Sequence, residues 1–307
     1  MNKVWLTGDA VVDLIPDGKN SFVKCPGGAP ANVAVGIARL GGDCGFFGRV
    51  GLDPFGVFMQ QTLESENVAI EHLALDEKHR TSTVLVDLDA SGERSFTFLV
   101  KPSADQFMTE SEIPAFHAGE WLHTCSISLA NEPSRSSTLE AMRRVKRAGG
   151  FISFDPNLRE EVWLNPEEMV SVVMAAVRVA DVVKFSKEEL LLLTDTESIE
   201  QGLEALTALQ LPLVLITQGE KGCLGVFQGK QFQVPTKSAN VVDTTGAGDA
   251  FVSGLLARLS QQNHWQDHLV VSSAIEWGNA CGGLATTQKG AMTALPSESE
   301  LRQWLDS

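Results

Sequence analysis

The feature that most restricts the fold of this chain is a regular alternation of short apolar stretches with helical patterns. The stretches "KVWLTGD", "GGFISFDPN", "ADVVKFSKEEL" and "LPLVLITQGEKG" each read as an apolar strand that ends in polar residues before a helix. Such alternation is typical of βαβ units, whose parallel sheet carries helices on both faces. The pattern predicts an α/β fold with a doubly wound, mainly parallel sheet, and polar strand ends that converge at one edge.

One stretch departs from this pattern. Residues 80–100, "RTSTVLVDLDASGERSFTFLV", alternate apolar and polar side chains around the turn "DASGE", which is typical of a β-hairpin. A hairpin does not fit inside a doubly wound sheet. We therefore predict a single domain over residues 1–307 with a small β lid formed from about residues 11–25 and 80–104. An edge hairpin without function is the alternative.

Charge and composition limit the partners. The 307 residues carry a formal net charge of −15, and such a field repels the phosphate backbone of nucleic acids. No apolar run approaches the roughly 20 residues that a membrane span needs, and Asp9 and Asp13 interrupt the place of a signal-peptide core. We expect a cytoplasmic protein with no membrane or nucleic-acid partner. An anionic substrate would need local positive groups, such as helix N-termini, an arginine or a metal ion.

The segment "DTTGAGDAF", Asp243 to Phe251, predicts an anion site. Gly246 and Gly248 free the backbone to turn N–H groups toward one point, at the positive end of the helix that follows. A helix start with capping acids looks much the same, and the helix dipole alone would stabilise Asp249. A carboxylate beside a phosphate-binding turn also suits the acceptance of a proton from an attacking hydroxyl. The segment thus favours phosphoryl transfer to an alcohol.

This segment, together with the earlier "GGAPANVAVGIARLG", resembles the paired signatures of the ribokinase-like (PfkB-type) sugar kinases. The resemblance runs from "GDAVVDLIP" to "TTQKGAMTALP", which is nearly the whole chain. It implies that Asp249 is the catalytic base and that the amides of Thr245, Gly246, Ala247 and Gly248 stabilise charge on the transferred phosphoryl group.

The resemblance also implies ligand contacts. The sugar-binding positions correspond to Asp13, Gly27, Gly28 and Asn32, and an aromatic lid contact to Phe96 or Phe98. The nucleotide positions correspond to Thr217, Gly219, Gly222 and Asn279, with Lys187 or Lys221 as candidates to reach a phosphate. A solvated surface lysine is the alternative for each of these two.

ATP, Mg²⁺ and K⁺ are the cofactors that the resemblance implies. Many relatives organise magnesium and phosphate through an N-x-x-E motif, whereas this chain has "SKEE", with Ser186 in place of the amide and Glu189 kept. The family holds potassium in backbone carbonyls and one aspartate, at positions resembling Asp243, Thr245, Ala285, Gln288 and Gly290. Asp243 as a simple helix cap is the alternative.

The stretch "DPNLREEVW" is similar to segments of fructokinases and 2-keto-3-deoxygluconate kinases, and it places Arg159 over the pocket. The glycine-rich stretch and the ending "KGAMTALP" are similar to bacterial fructokinases and to aminoimidazole riboside kinases. The resemblance thus implies ATP-dependent phosphorylation of fructose to fructose 6-phosphate. It leaves the oligomeric state open, with a homodimer through the lid as one expectation, since relatives often pair through their lids. The alternatives are a kinase of another furanose and a non-catalytic sugar-binding protein. A dehydrogenase is disfavoured because "LTGDAVVD" lacks the Rossmann glycines.

Overall fold

The computed structural model describes residues 1–18, 20–88 and 94–307. Within them, nine strands form one large sheet, which confirms the predicted α/β class. With all strands numbered in chain order, and the numbers missing here belonging to a second sheet, these are β1 (Val4–Thr7), β4 (Cys44–Gly51), β5 (Ala69–Asp76), β8 (Trp121–Cys125), β9 (Phe151–Asp155), β10 (Val182–Ser186), β11 (Leu213–Thr217), β12 (Cys223–Phe227) and β13 (Lys230–Val234).

The large sheet has the strand order β13-β12-β11-β10-β9-β8-β1-β4-β5. Its pairs are parallel from β5 through β11, while β11–β12 and β12–β13 are antiparallel, so a meander ends one side of the sheet. After β1, the chain adds β4 and β5 on one side of β1 and later adds β8 to β13 on its other side. A change of direction of this kind opens a crevice at the carboxyl ends of the strands.

Helices cover both faces of this sheet, as the sequence predicts. Two clusters of buried apolar side chains lie between helices and sheet, one on each face. The helices of the first face are α1 (Ala29–Arg39), α2 (Pro54–Ser65), α7 (Ala247–Leu259), α8 (His268–Ala285) and α9 (Glu298–Asp306). Those of the second are α3 (Ser134–Arg147), α4 (Met169–Val177), α5 (Lys187–Thr194) and α6 (Ile199–Leu206).

Local sequence explains where α1 begins and ends. Pro30 stands in the first turn, where its missing N–H costs nothing. At the other end, Gly41 N–H donates to Ala38 O and Gly42 N–H to Ile37 O, both at 2.9 Å. These bonds satisfy helix carbonyls that would otherwise lack donors.

Helix α7 is held by burial on nearly every side. It packs between α1 and α8, and its Ala250, Phe251 and Leu255 side chains are almost fully buried. A buried Leu or Phe side chain contributes roughly 1.5–3 kcal/mol. The N-terminus of α7, and the glycine turn before it, are therefore fixed by the core.

A second sheet has four strands within the described residues, in the order β3-β2-β6-β7. They are β2 (Val11–Pro16), β3 (Phe22–Gly27), β6 (Thr83–Leu88) and β7 (Arg94–Phe98). Antiparallel pairing of β6 with β7 confirms the predicted hairpin, although its turn "DASGE" lies outside the described residues. The hairpin lies in this sheet of its own, apart from the large one.

Candidate active site

A cavity of about 320 Å³ opens at the carboxyl ends of the large sheet and beneath the small one. Its walls combine residues after β1, β9 and β10, the turn before α7, and strands β2, β6 and β7. The predicted site residues among its lining are Asp13, Gly28, Asn32, Phe98, Arg159, Thr245, Gly246, Gly248 and Asp249.

The glycine turn lies directly before α7, where the sequence predicts it, and two of its four predicted amides, those of Thr245 and Ala247, are bonded within the turn. Gly246 precedes α7 with φ of +75°, and a Cβ there would lie 2.8 Å from Ala291 Cα, so only glycine fits. Thr245 N–H donates to Asp243 Oδ1 at 3.0 Å and Ala247 N–H to Thr244 O at 3.2 Å. Within the described part of the chain, the N–H groups of Gly246 and Gly248 have no protein acceptor. They are the amides available to an anion.

Asp249 lies in the first turn of α7, 8% exposed and at the floor of the cavity. Asn32 Nδ2 donates to its Oδ2 at 2.8 Å. Burial raises the pKa of Asp249 from 3.8 to about 6, against the opposing effect of the Asn32 hydrogen bond. A carboxyl group with that pKa is ionised near neutral pH yet accepts a proton readily, as a general base requires.

Asp9 is a cavity residue that sequence reasoning did not select for a role. It follows β1 and is 5% exposed, with Cys125 Sγ 3.9 Å from its Oδ1. Burial, and then the negative charge of Asp105, raise its pKa to about 7. The signal was present in the sequence, because Asp9 is the polar end of the first apolar strand.

Lys184 was also not selected. It lies within β10 and is 7% exposed, and its Nζ donates to Asp155 Oδ2 at 2.7 Å. Asp155 ends the neighbouring strand β9. A lysine inside the apolar run "DVVKFS" is the sequence signal for this pair, since a charged group in a buried strand requires a partner.

The predicted sugar residues lie mainly on the side of the cavity that faces the small sheet. A Cβ at Gly27 would lie 2.6 Å from Asp13 Oδ2, and one at Gly28 would lie 2.4 Å from Asp9 O. The glycine pair thus lets the chain around β2 approach closely. Phe98 is half-buried, and the side chain of Phe96 lies outside the described part of the structure. Arg159 is exposed at the mouth and donates from Nη1 to Leu158 O at 2.7 Å.

Ser186 and Glu189 line the cavity as a capping box at the start of α5. Ser186 N–H donates to Glu189 Oε2 at 2.8 Å, and Glu189 N–H donates to Ser186 Oγ at 3.1 Å. Leu158 N–H donates to the other carboxylate oxygen of Glu189 at 3.1 Å. The serine therefore keeps the acid fixed at the cavity wall without an asparagine.

The predicted nucleotide residues do not line this cavity. Thr217 ends β11, and Gln218 N–H donates to Gly222 O at 2.8 Å to close the turn after it, which includes Gly219. Asn279 is buried in α8, and its Nδ2 donates to Val234 O at 2.9 Å and Pro235 O at 3.2 Å. Its side-chain donors thus shape the loop after β13. Lys187 is exposed at the first position of α5, and Lys221 is exposed beside Gly222.

Two of the predicted potassium residues, Thr245 and Gly290, contact Asp243. Its Oδ1 accepts from Thr245 N–H and, at 2.7 Å, from Thr245 Oγ1, while its Oδ2 accepts from Gly290 N–H at 2.8 Å. The N–H groups of Val242 and Asp243 donate to Thr286 O, directly after Ala285 ends α8. Gln288 lies between these anchor points in the chain. Asp243 therefore joins the glycine turn to the segment 286–290.

A slightly larger cavity, of about 380 Å³, lies elsewhere, beside β4 and β5. Arg49 in its lining is already paired, since its Nη2 lies 3.0 Å from Glu112 Oε1 and its Nη1 lies 3.3 Å from Asp76 Oδ2. Its described lining contains no glycine, and its buried carboxylate, Asp76, contacts Arg49 and His79. We place the chemistry in the smaller cavity.

A buried carboxylate beside a glycine turn with unbonded amides fits one class of protein, a phosphotransferase that acts on a hydroxyl group. The family model "pfkB family carbohydrate kinase" matches residues 1–298. The chain belongs to this family.

No helix of the described residues is long and apolar enough to cross a membrane.

Individual relatives agree with this assignment. The chain is 63% identical to a fructokinase of Vibrio alginolyticus over 99% of both sequences. It is 44% identical to an aminoimidazole riboside kinase of Salmonella typhimurium, covering 100% of this chain and 96% of the relative. A crystal structure of fructokinase from Vibrio cholerae O395, in a form with fructose, ADP and calcium ion, superposes with a TM-score of 0.96 at 62% identity and 99% coverage of both chains. A double mutant of that enzyme, with fructose, ADP and potassium ion, also has a TM-score of 0.96 at 62% identity, covering 99% of this chain and 98% of that one.

Proposed function

We propose that this protein is an ATP-dependent fructokinase that converts fructose to fructose 6-phosphate. The observation that carries the proposal is the position of the Asp249 carboxylate, which lies in one cavity with the glycine turn and the sugar residues Asp13 and Asn32. The 63% identity to a fructokinase over nearly the full length supports fructose as the acceptor.

In the proposed reaction, Asp249 accepts the proton of the fructose O6 hydroxyl. The O6 oxygen then forms a bond to the γ-phosphorus of ATP, the bond from that phosphorus to the bridging oxygen breaks, and ADP leaves with the electron pair. The Gly246 and Gly248 amides and the positive end of α7 offset negative charge that builds on the transferred group. Because the core holds α7, these dipoles need no reorientation during the reaction.

Thr217, Gly219, Gly222, Asn279 and Lys187 remain the proposed nucleotide residues: Thr217 ends β11, Gly219 and Gly222 lie in the turn after it, Asn279 lies within α8, and Lys187 begins α5. A Cβ at Gly222 would lie 2.2 Å from Val234 O, so a substitution there is expected to displace the loop after β13. The expected consequence is weaker ADP binding by Gly222→Ala with unchanged fructose binding, which isothermal titration calorimetry measures. Equal loss of both affinities would indicate misfolding instead.

The residues present fit the two proposed metal ions in different ways. Both oxygens of Glu189 accept backbone N–H groups, which suits an outer role toward a magnesium ion carried by the nucleotide phosphates. Asp243 supplies a single negative charge between the glycine turn and the segment 286–290, which suits a large monovalent cation. Magnesium would neutralise phosphate charge, and potassium would brace the segment that Asp243 joins to the glycine turn.

We propose that the four-stranded sheet is a lid that closes over the sugar and also pairs two copies of the chain. Val11, Val84 and Phe98 of this sheet line the cavity, while Phe22 and Val23 on β3 are about half exposed. Exposed apolar side chains on a small sheet favour a surface that a second protein chain covers. Light scattering is expected to give twice the chain mass, and Phe22→Asp to give the chain mass; a monomeric wild type would contradict the pairing.

The test of the function is an ADP-release assay on fructose, ribose, 2-keto-3-deoxygluconate and aminoimidazole riboside. Fructose is expected to give the highest kcat/KM among these, with fructose 6-phosphate as its product. Asp249→Asn keeps the shape of the side chain but cannot accept the proton, so kcat is expected to fall by about 10²–10⁴ while ADP binding persists. Retention of more than about a tenth of kcat would remove Asp249 from the base role.

Phosphorylation of another furanose is the second candidate. The apolar wall of Val11, Val84 and Phe98 offers no side-chain hydrogen bond to separate fructose from a riboside, and the 44% identity to an aminoimidazole riboside kinase agrees with this alternative. A kcat/KM for the riboside at least tenfold above that for fructose, or fructose 1-phosphate as product, would replace the first proposal.

A further inference from the structure

The cavity contains a buried positive charge that the proposed reaction has not used. Lys184 is 7% exposed, yet it lines the cavity together with Gly246, Gly248 and Asp249. Its place next to Asp155 follows from the sheet register, in which Val183 pairs with Phe154 one residue earlier in each strand. The lysine thus reaches the active site from a rigid strand.

The ammonium group lies directly against the anion turn. A Cβ added at Gly248 would lie 3.2 Å from Lys184 Nζ, which is tighter than ordinary contact. An ammonium has three N–H donors, and within the described residues Asp155 Oδ2 takes one of them, at 2.7 Å. The glycine at 248 therefore leaves room for the ammonium beside the amides that face an anion.

Lys184 is charged at the pH of the reaction. Burial alone would lower its pKa, but the carboxylates of Asp155 and Glu189 outweigh burial, and the pKa is raised. The buried His123 does not share this role, because burial and the Lys184 charge lower its pKa to about 3. The other cation of the cavity lining, Arg159, is exposed at the mouth. Lys184 is thus the fixed positive charge beside the turn.

A purely structural reason for this pair is weak. Two buried charges give little net stability over apolar residues of the same size, since each loses its hydration. The cavity lining also contains four acids, Asp9, Asp13, Glu189 and Asp249, in a chain with net charge −15. A phosphate group that enters there meets repulsion, which a fixed ammonium offsets.

We propose that Lys184 donates a hydrogen bond to an oxygen of the transferred phosphoryl group, and that Asp155 positions its ammonium. This inference rests on the proposed phosphoryl transfer. Lys184 adds a full charge to the dipoles of the Gly246 and Gly248 amides, at the place where negative charge develops. It neither gives nor takes a proton in the reaction.

The test compares Lys184→Met and the double variant Lys184→Met/Asp155→Asn with the wild type. Loss of one donor to a developing negative charge costs about 10²–10³ in kcat, and we expect that loss in both variants with a fructose KM within about threefold. The double variant contains no unpaired buried charge, so it tests the role of the lysine even if the single variant folds poorly.

A binding measurement separates the transferred group from the rest of the nucleotide. ADP lacks the transferred group, so its Kd is expected to stay within about threefold in the double variant, whereas the Kd of the β,γ-imido analogue of ATP is expected to rise about tenfold or more. Asp155→Asn alone lowers the pKa of Lys184. We therefore expect a new fall of kcat at alkaline pH in that variant, which a merely structural residue would not produce.

Lys146 and Asp181 supply the matched control. Lys146 Nζ lies 2.8 Å from Oδ1 of the buried Asp181, at the amino end of β10 and away from the cavity. Lys146→Met/Asp181→Asn also removes an ion pair with a buried carboxylate, and it is expected to leave kcat within about threefold.

The outcomes are distinct. Recovery of wild-type kcat in Lys184→Met/Asp155→Asn, or equal loss in the control pair, would overturn the inference while the kinase proposal stands. A wild-type protein that releases no ADP with any sugar would instead overturn the proposed function.

Discussion

The hydrogen bond from Asn32 to Asp249 makes a quantitative prediction about pH dependence. Asn32 Nδ2 donates to the base at 2.8 Å and thereby opposes the rise of the Asp249 pKa, which burial takes to about 6. In the proposed reaction the base is the ionised carboxylate, so kcat/KM is expected to fall as pH decreases through that pKa. Asn32→Ala removes the donor and should move this acid limb to higher pH.

The size of the shift follows from the energy of the bond. A hydrogen bond to a charged group contributes about 1.5–3 kcal/mol, and one pKa unit corresponds to 1.36 kcal/mol. Complete loss of this hydrogen bond would therefore raise the pKa of Asp249 by about one to two units. Water that enters the space of the side chain restores part of the bond, so we expect about one unit, from about 6 toward about 7.

The assay is kcat/KM for fructose across the acid and neutral range in one mixed buffer at constant ionic strength. Near the wild-type pKa, the variant should lose activity strongly, and at about two units above it the ratio of the two enzymes should level off. Asn32→Asp places a second carboxyl beside Asp249 and should shift the limb further in the same direction. An acid limb at the same pH in all three proteins would refute the assignment of that limb to Asp249.

Two further predictions concern other acids. The wild type should lose kcat when tetramethylammonium replaces potassium at constant ionic strength, and Asp243→Asn is expected to reduce this response. Equal wild-type rates in both salts would leave Asp243 with a structural role in its turn. The folded-state pKa of Asp9 is about 7 against 3.8 for the unfolded chain, so the wild type should lose stability as pH rises between these values. Asp9→Asn avoids that loss, so the free energy of unfolding of the variant relative to the wild type should rise by up to about 4 kcal/mol from acid to mildly alkaline pH. Urea unfolding measures this difference, and a difference that stays constant across the range would contradict the burial of an ionised Asp9.

Local patterns in the sequence were sufficient for much of the architecture. Alternating apolar strands and helices predicted the class of sheet, and period-two alternation predicted the β6–β7 hairpin. The antiparallel strands β12 and β13 were not predicted, because a meander at a sheet edge has no signal beyond short apolar runs. The helical start at Ala247 and the positive φ of Gly246 follow from residues that adjoin in the chain.

The sequence by itself determined the glycine turn, the acid inside the first turn of α7 and the family signatures, since these depend on the backbone preferences of neighbouring residues. Only the tertiary structure decided that Asn32 meets Asp249 across 217 residues of chain, that Asp9 is buried enough to hold a proton near neutral pH, and that Lys184 reaches the turn beside Asp155. These properties depend on desolvation and on contacts between distant segments. A pattern of neighbours contains no information on either, because both arise only when the sheet brings its strand ends together.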